Sequence, residues 1–178
     1  MSSGKKVHKV VAGGGRLRGR LKTRHRLHEM RQVRGVSEFI SQYAHSLDAK
    51  GRLIIPARYR EELDEEARLT VGLDHCLFIF KGEDWQALVA KLNTIPISNR
   101  NGRKFARFLM SNAFPCEMDK QGRMVIPQVL RDYAGLEKDV VLAGVGNRIE
   151  VWDSKTWAES VTYDDMDEIA GNMEDLGI

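Results

Sequence analysis

The stretch Ser46-Leu47-Asp48-Ala49-Lys50-Gly51-Arg52-Leu53-Ile54-Ile55-Pro56 returns 71 positions later as Glu117-Met118-Asp119-Lys120-Gln121-Gly122-Arg123-Met124-Val125-Ile126-Pro127. Both copies read apolar, Asp, two variable residues, Gly, Arg, three apolar residues and Pro, and downstream Arg60 and Arg131 also fall in register. The chain is therefore a tandem duplication. Its fold can display two copies of one charged turn, which suits a repetitive or pseudo-symmetric ligand.

Length and composition favour one compact, soluble domain. A chain of 178 residues with 42% hydrophobic residues can bury a core, and the repeat length suggests two small halves packed together. No apolar run approaches the roughly 20 residues that span a bilayer, and the N-terminus lacks the apolar block of a secretory signal, so a cytoplasmic location is expected. Cys76 and Cys116 stand alone, so neither a disulfide, a metal site nor a cofactor is expected.

The charge is distributed unevenly along the chain. The net charge is +3, but residues 1–36 hold 11 Lys or Arg against the single acid Glu29, and the segment after Lys155 carries seven acids and no base. The sequence predicts a basic flexible arm over residues 1–36, which would add salt-sensitive attraction to phosphates. The alternatives are a solvated tail without a role, or a leader upstream of a natural start at Met30. Residues 161–178 are predicted to form an acidic tail.

Each half is predicted to contain the same order of elements. In the first half, the pattern predicts strands over 39–47 and 52–55 around a turn at 48–51, a helix opened by Pro56, and two short strands over 69–71 and 77–80. An amphipathic helix follows Gly82. A basic linking helix over 100–111 completes the first repeat, which we assign to residues 37–110.

The second half, assigned to residues 111–160, repeats this plan. Strands are predicted over 115–118 and 123–126 around a turn at 119–122, and Pro127 opens a helix that Gly135 ends. Two further strands over 140–142 and 149–152 frame a loop rich in glycine, and a last helix begins near Ser154.

Three motifs carry a resemblance to a known family. The paired Leu-Asp-Ala-Lys-Gly-Arg and Met-Asp-Lys-Gln-Gly-Arg turns, the segment Gly72-Leu73-Asp74-His75-Cys76-Leu77-Phe78, and the segment Gly146-Asn147-Arg148-Ile149-Glu150-Val151-Trp152 closely resemble the bacterial MraZ family. The resemblance runs from about Phe39 to the C-terminus. The long basic head departs from it, since members of the family usually begin a few residues before the first unit.

The resemblance implies both a fold and a function. The fold is α+β and mainly β: a pseudo-two-fold, swapped-hairpin AbrB-like barrel built from two tandem repeats, with flanking helices. The function is a transcriptional regulator that binds double-stranded DNA at the promoter of the bacterial division and cell-wall gene cluster. Such a protein would be nucleoid-associated and would assemble with itself into a ring. Its sites would be short guanine-rich direct repeats, which suit successive head-to-tail protomers.

The chemistry of the turns agrees with DNA binding. An arginine fork can donate two hydrogen bonds to guanine O6 and N7, so Arg52 and Arg123 are candidates for base readout, with Lys50 and Lys120 on phosphates. Arg58 could reach the DNA backbone from the first helix. Asp48 and Asp119, with Gly51 and Gly122, are predicted to shape the turns. The alternative for each arginine is an ion pair with the aspartate of its own turn, facing the core.

The motifs agree less well with two other classes of protein. An enzyme would need Asp48 and Asp119 to act as a catalytic carboxylate pair, but equivalent acids of a repeated turn follow from duplication alone, and no phosphate loop or nucleophile motif occurs. An AbrB-like interaction module is the alternative function, in which the acidic tail binds a partner protein, as in antitoxins.

Overall fold

The computed structural model describes residues 38–161 and 166–173. The basic arm predicted over residues 1–36 lies outside the described residues. The acidic tail predicted over 161–178 lies partly outside them, and what is described of it contains one short helix. None of the helices in these two ranges has the length and apolar character needed to cross a membrane.

Eight strands and six helices make up the described chain. The strands are β1 (Gln42–Ser46), β2 (Arg52–Ile54), β3 (Arg68–Val71), β4 (Leu77–Phe80), β5 (Phe114–Pro115), β6 (Arg123–Val125), β7 (Asp139–Gly144) and β8 (Arg148–Asp153). The helices are α1 (Ala57–Arg60), α2 (Gly82–Asn93), α3 (Arg100–Met110), α4 (Gln128–Tyr133), α5 (Ser154–Ser160) and α6 (Met166–Asn172). The predicted order of elements in the two halves is confirmed.

The two repeats are interlocked by strand pairing. Within each described repeat, β3 pairs with β4 or β7 with β8, and one isolated bridge across the turn joins Leu47 to Leu53 or Met118 to Met124. The other pairings between described strands join one repeat to the other: β1 with β7, β5 with β3, β4 with β8, and β2 with β6. All these pairings are antiparallel. Neither repeat can therefore complete its sheet without the other.

The strands form two separate sheets. Six strands lie in the order β1-β7-β8-β4-β3-β5, and β2 with β6 form a two-stranded ribbon. The fold is thus mixed α/β, with a mostly antiparallel sheet and two tandem repeats. The structure does not contain the predicted closed barrel among the described residues, because β1 and β5 are edge strands of the large sheet.

One apolar core joins the two repeats. Alternate residues of the ribbon point into it, so that Leu53, Ile55, Met124 and Ile126 are almost wholly buried. They pack with Leu69, Leu77, Ile79, Val140, Leu142, Ile149 and Val151 from the large sheet. Burial of this aliphatic set is the main force that fixes the register, since a slip of one residue would expose it.

Several elements begin or end a few residues from their predicted positions. β1 begins at Gln42 and not at Phe39, because Ser41 has a φ of 77° and interrupts the strand. Pro56 and Pro127 stand one position before their helices, with ψ near 140°, and α1 ends at Arg60 after one turn. The positive φ of Gly135 ends α4 as predicted.

Candidate nucleic-acid interface

The first repeated turn is held together by Asp48. Its Oδ1 accepts hydrogen bonds from the backbone N–H groups of Lys50 (2.9 Å) and Arg52 (3.0 Å). Its Oδ2 accepts from Nε of Arg52 at 2.6 Å and forms an ion pair with Nη2 at 2.6 Å. A backbone bond from Gly51 N–H to the Asp48 carbonyl (2.9 Å) closes the turn. One carboxylate therefore shapes the turn and orients the guanidinium.

The second turn has the same geometry. Oδ1 of Asp119 accepts from the N–H groups of Gln121 (2.9 Å) and Arg123 (3.0 Å), and Oδ2 accepts from Nε and Nη2 of Arg123, both at 2.7 Å. Asp119 therefore holds its turn and its arginine with the same set of bonds as Asp48. The two arginines are each 27% exposed, so the ion pairs lie at the surface and not in the core.

Both carboxylates are stabilised in their charged form. The backbone N–H of Arg52 is the main cause that lowers the pKa of Asp48, and the backbone and side chain of Arg123 lower the pKa of Asp119 to about 2. At neutral pH each turn therefore carries an aspartate anion that holds an arginine cation in one orientation.

Each guanidinium still has donors to offer. Asp48 engages the edge formed by Nε and Nη2 of Arg52, and Asp119 does the same for Arg123. In the described part of the chain, Nη1 of either arginine has no hydrogen-bond partner. The end of the guanidinium, with one N–H from Nη1 and the second N–H of Nη2, thus remains available as a two-pronged donor. This is the donor geometry that suits guanine O6 and N7 or a phosphate.

The ribbon of β2 and β6 places the two arginines on one outward face. Arg52 lies opposite Val125, Leu53 opposite Met124, and Ile54 opposite Arg123. Leu53 and Met124 are buried, so the alternating neighbours point outward. Reciprocal backbone bonds, Ile55 N–H to the Gly122 carbonyl (3.0 Å) and Ile126 N–H to the Gly51 carbonyl (2.9 Å), fix the ribbon.

An arginine from each repeat packs against the turn glycine of the other. A Cβ added to Gly51 would lie 1.5 Å from Nη1 of Arg131, and one added to Gly122 would lie 2.4 Å from Nη1 of Arg60. Both glycines have a positive φ, 70° and 74°. Each turn is thus backed by a cation from the opposite repeat. The register of Arg60 with Arg131 in the sequence was the available signal for this pair.

The other residues predicted to contact DNA do not form a symmetric pair like the two arginines. Lys50 and Lys120 are exposed on the two turns, but Lys50 lies two residues after its aspartate and Lys120 only one, so the lysines are not equivalent. Arg58 is exposed on α1, and no bond from it to either turn is seen among the described residues. In the same ranges no group of three or more His, Cys, Asp or Glu side chains could hold a metal ion.

Comparison with known proteins points to one family. The model of the family described as "MraZ protein, putative antitoxin-like" matches residues 39–108 and again residues 109–175. The protein named Transcriptional regulator MraZ of Halothermothrix orenii is 49% identical over 142 residues, which cover 79% of this chain and 99% of the relative. The proteins of the same name from a Thermoanaerobacter species and from Pediococcus pentosaceus are 48% and 44% identical, each covering 99% of its own length.

Proposed function

This chain belongs to the MraZ family, and on that premise we propose that it is a transcriptional regulator that binds double-stranded DNA through the ribbon of β2 and β6. The relatives named Transcriptional regulator MraZ support the first part of the proposal. The geometry of the two turns supports the second.

One observation carries the assignment of the binding face. Two partly exposed arginines stand on the outward face of one two-stranded ribbon, each oriented by an aspartate through Nε and Nη2, and Nη1 has no hydrogen-bond partner among the described residues. A two-stranded ribbon fits the major groove, where arginine forks recognise guanine. Lys50 and Lys120 at the two turns would contact phosphates, and Arg58 would add a backbone contact from α1.

The finer details of the function follow from the family resemblance. We propose that the chain recognises short guanine-rich direct repeats at the promoter of the division and cell-wall genes, and that it is cytoplasmic and nucleoid-associated. We also propose a ring-shaped homo-oligomer, because copies related head to tail present the same face along direct repeats. The strand exchange between the repeats supports a swapped-hairpin relationship of the AbrB type.

We assign no catalytic activity to the two aspartates. Each carboxylate accepts bonds from backbone and side-chain donors of its own turn, and these bonds lower its pKa. A carboxylate saturated in this way is a weak base at neutral pH, so the pair is better suited to positioning arginines than to proton transfer.

The proposal is tested by fluorescence anisotropy across a salt series. The probe is a duplex with spaced guanine-rich direct repeats, compared with the same duplex after the guanine boxes are scrambled. We expect wild type to prefer the intact repeats, and Arg52→Ala or Arg123→Ala to lose about 1 to 3 kcal/mol of that preference. Lys50→Ala and Lys120→Ala should weaken binding to both duplexes and reduce the salt slope by about one.

Arg68→Ala is the matched control. Arg68 is also about a quarter exposed, at 28%, and also forms an ion pair, with Glu66, but it lies on the large sheet. The Arg68→Ala variant should bind both duplexes as tightly as wild type does. Equal binding of intact and scrambled duplexes by wild type, or equal losses in the control and the ribbon variants, would contradict base readout by the ribbon.

Apolar residues on and just after α6 favour a second candidate function, a contact with a partner protein through the acidic tail. Met166 and Ile169 on α6, and Met173 one residue after its end, are at least 36% exposed and follow the i, i+3, i+7 spacing typical of one helix face. Deletion of residues 164–178 should abolish such a complex and leave DNA binding largely unchanged. Loss of DNA binding or of assembly on this deletion would contradict the second candidate.

A further inference from the structure

The outward face of the ribbon contains two exposed apolar side chains beside its arginines. Ile54 is 45% exposed and Val125 is 57% exposed. The outward face of a solvated antiparallel pair is ordinarily polar, because only the other face packs on the core. Two β-branched apolar residues between two arginines are therefore a feature that the folding of this domain does not require.

The pairing of the strands places each apolar residue next to one arginine. Val125 lies directly opposite Arg52, and Ile54 lies directly opposite Arg123. Side chains that are directly opposite have Cβ atoms about 4.5 to 5.5 Å apart. Because successive base pairs are stacked about 3.4 Å apart, an arginine on one guanine brings its opposite neighbour over an adjacent base pair.

We infer that Ile54 and Val125 are specificity residues that contact the C5-methyl groups of thymines adjacent to the guanines bound by Arg123 and Arg52. This inference rests on the proposed DNA-binding function. The thymine methyl is the one apolar group that a base pair displays in the major groove, so it is the group that an exposed aliphatic side chain can recognise there.

The charge around the two apolar residues favours DNA over a protein partner on this face. Arg52 and Arg123 are each 27% exposed on this face, and the exposed Lys50 and Lys120 flank the ribbon at its two turns. Contact with another copy of the same face would bring these cations together, whereas the major groove lies between two rows of phosphates. The face therefore offers aliphatic side chains that thymine methyls can contact and cations that the phosphates beside the groove can attract.

The inference is tested with a base that differs from thymine only by the methyl group. The probe is a duplex in which each guanine-rich box is flanked by T·A pairs, compared with the same duplex carrying deoxyuridine at those positions. Wild type should bind the deoxyuridine duplex about fourfold more weakly for each thymine methyl that the protein buries, as expected for the burial of one methyl group. Ile54→Ala and Val125→Ala should bind the thymine duplex more weakly than wild type does. Each variant should also show a smaller difference in affinity between the thymine and deoxyuridine duplexes.

Two further variants separate this inference from general effects. Val129→Ala removes the side chain of a valine on α4 that is 53% exposed, and it should keep the full sensitivity to deoxyuridine. Ile54→Val keeps a β-branched side chain and should retain part of that sensitivity. Circular dichroism of each variant identifies any that fails to fold.

The outcomes are distinct for the inference and for the proposed function. If wild type prefers guanine boxes but binds thymine and deoxyuridine duplexes equally, the inference is overturned and the proposed function stands. If Ile54→Ala and Val125→Ala change the sedimentation coefficient of the protein and keep the deoxyuridine effect, the face is a protein contact and the inference is overturned. If wild type prefers no duplex, both fail.

Discussion

Replacement of Gly51 by alanine tests whether the contact of Arg131 with the turn of the other repeat stabilises the fold. Gly51 has a φ of 70°, and an added Cβ would lie 1.5 Å from Nη1 and 2.4 Å from Cζ of Arg131. The guanidinium must therefore leave its place. Its Nε is buried without a hydrogen-bond partner among the described residues, and its Nη2 donates an exposed hydrogen bond to Oε1 of Gln128, so a move of the guanidinium breaks that bond.

The expected cost has two parts. A Cβ in the left-handed region costs about 1 to 2 kcal/mol, whatever surrounds it. Displacement of Arg131 adds the loss of one exposed hydrogen bond to Gln128, about 1 kcal/mol. Gly51→Ala should therefore lower the free energy of unfolding by about 2 to 3 kcal/mol.

Gly135→Ala is the matched control. Gly135 has a φ of 58°, but an added Cβ would meet no atom within 4 Å. This variant should show the backbone cost alone, about 1 to 2 kcal/mol. The difference between the two variants isolates the contact of Gly51 with the arginine of the other repeat.

Urea unfolding at one fixed protein concentration measures both variants, because self-association would make the apparent stability depend on concentration. A double-mutant cycle completes the test. In an Arg131→Ala background, Gly51→Ala should cost no more than Gly135→Ala. If Gly51→Ala lowers the free energy of unfolding equally with and without Arg131, the contact between Gly51 and Arg131 does not contribute to stability.

Three further predictions concern other parts of the chain. Asp119 has a folded pKa of about 2, below its ordinary value of 3.8, so its contribution to stability is present above pH 4 and is lost as the pH falls toward 2; the urea midpoint of Asp119→Asn should change less over that range than that of wild type. Thr70→Val should cost about 1 to 3 kcal/mol in urea unfolding, because the buried Thr70 hydroxyl donates to the Leu109 carbonyl at 2.7 Å, whereas Thr94→Val, at an exposed hydroxyl, should change little. Burial raises the pKa of Cys76 and Cys116 to about 12, so a disulfide reagent at pH 8 should label the native thiols about a hundredfold or more slowly than those of the unfolded chain; similar rates would show that the thiols are accessible.

The sequence predicted the repeated elements well because the same patterns occur twice. The turn at Asp48, the strand that follows it and the helix after Pro56 are each specified by local chemistry, and the second copy at Asp119 supports the same interpretation. Some predicted ends of strands and helices differ from those in the structure. The strand predicted from Phe39 begins only at Gln42, since a positive φ at Ser41 is set by tertiary contacts and leaves no signal in a serine.

The pairing between repeats could not be inferred from composition or periodicity. Alternation of apolar residues shows that a strand has one buried face, but it does not identify the strand beside it. The packing of Arg131 on Gly51 and of Arg60 on Gly122 depends on that pairing. The aspartate and arginine within each turn, four residues apart, were therefore predictable from the sequence, whereas the contact of each turn with an arginine of the other repeat was not.

Comparison of equivalent positions in the two repeats shows which positions a duplication within one chain can vary independently. Positions fixed by the shared core or by the bonds of the turn are matched closely: Leu53 corresponds to Met124 and Asp48 to Asp119, and the bond lengths of the two ion pairs agree within 0.1 Å. Positions that face solvent have diverged, since Lys50 corresponds to Gln121. A symmetric pair of identical chains would change both turns with every mutation. A duplicated chain can keep two equivalent arginines for one kind of base and vary the residues around each, so that its two turns need not read identical neighbours.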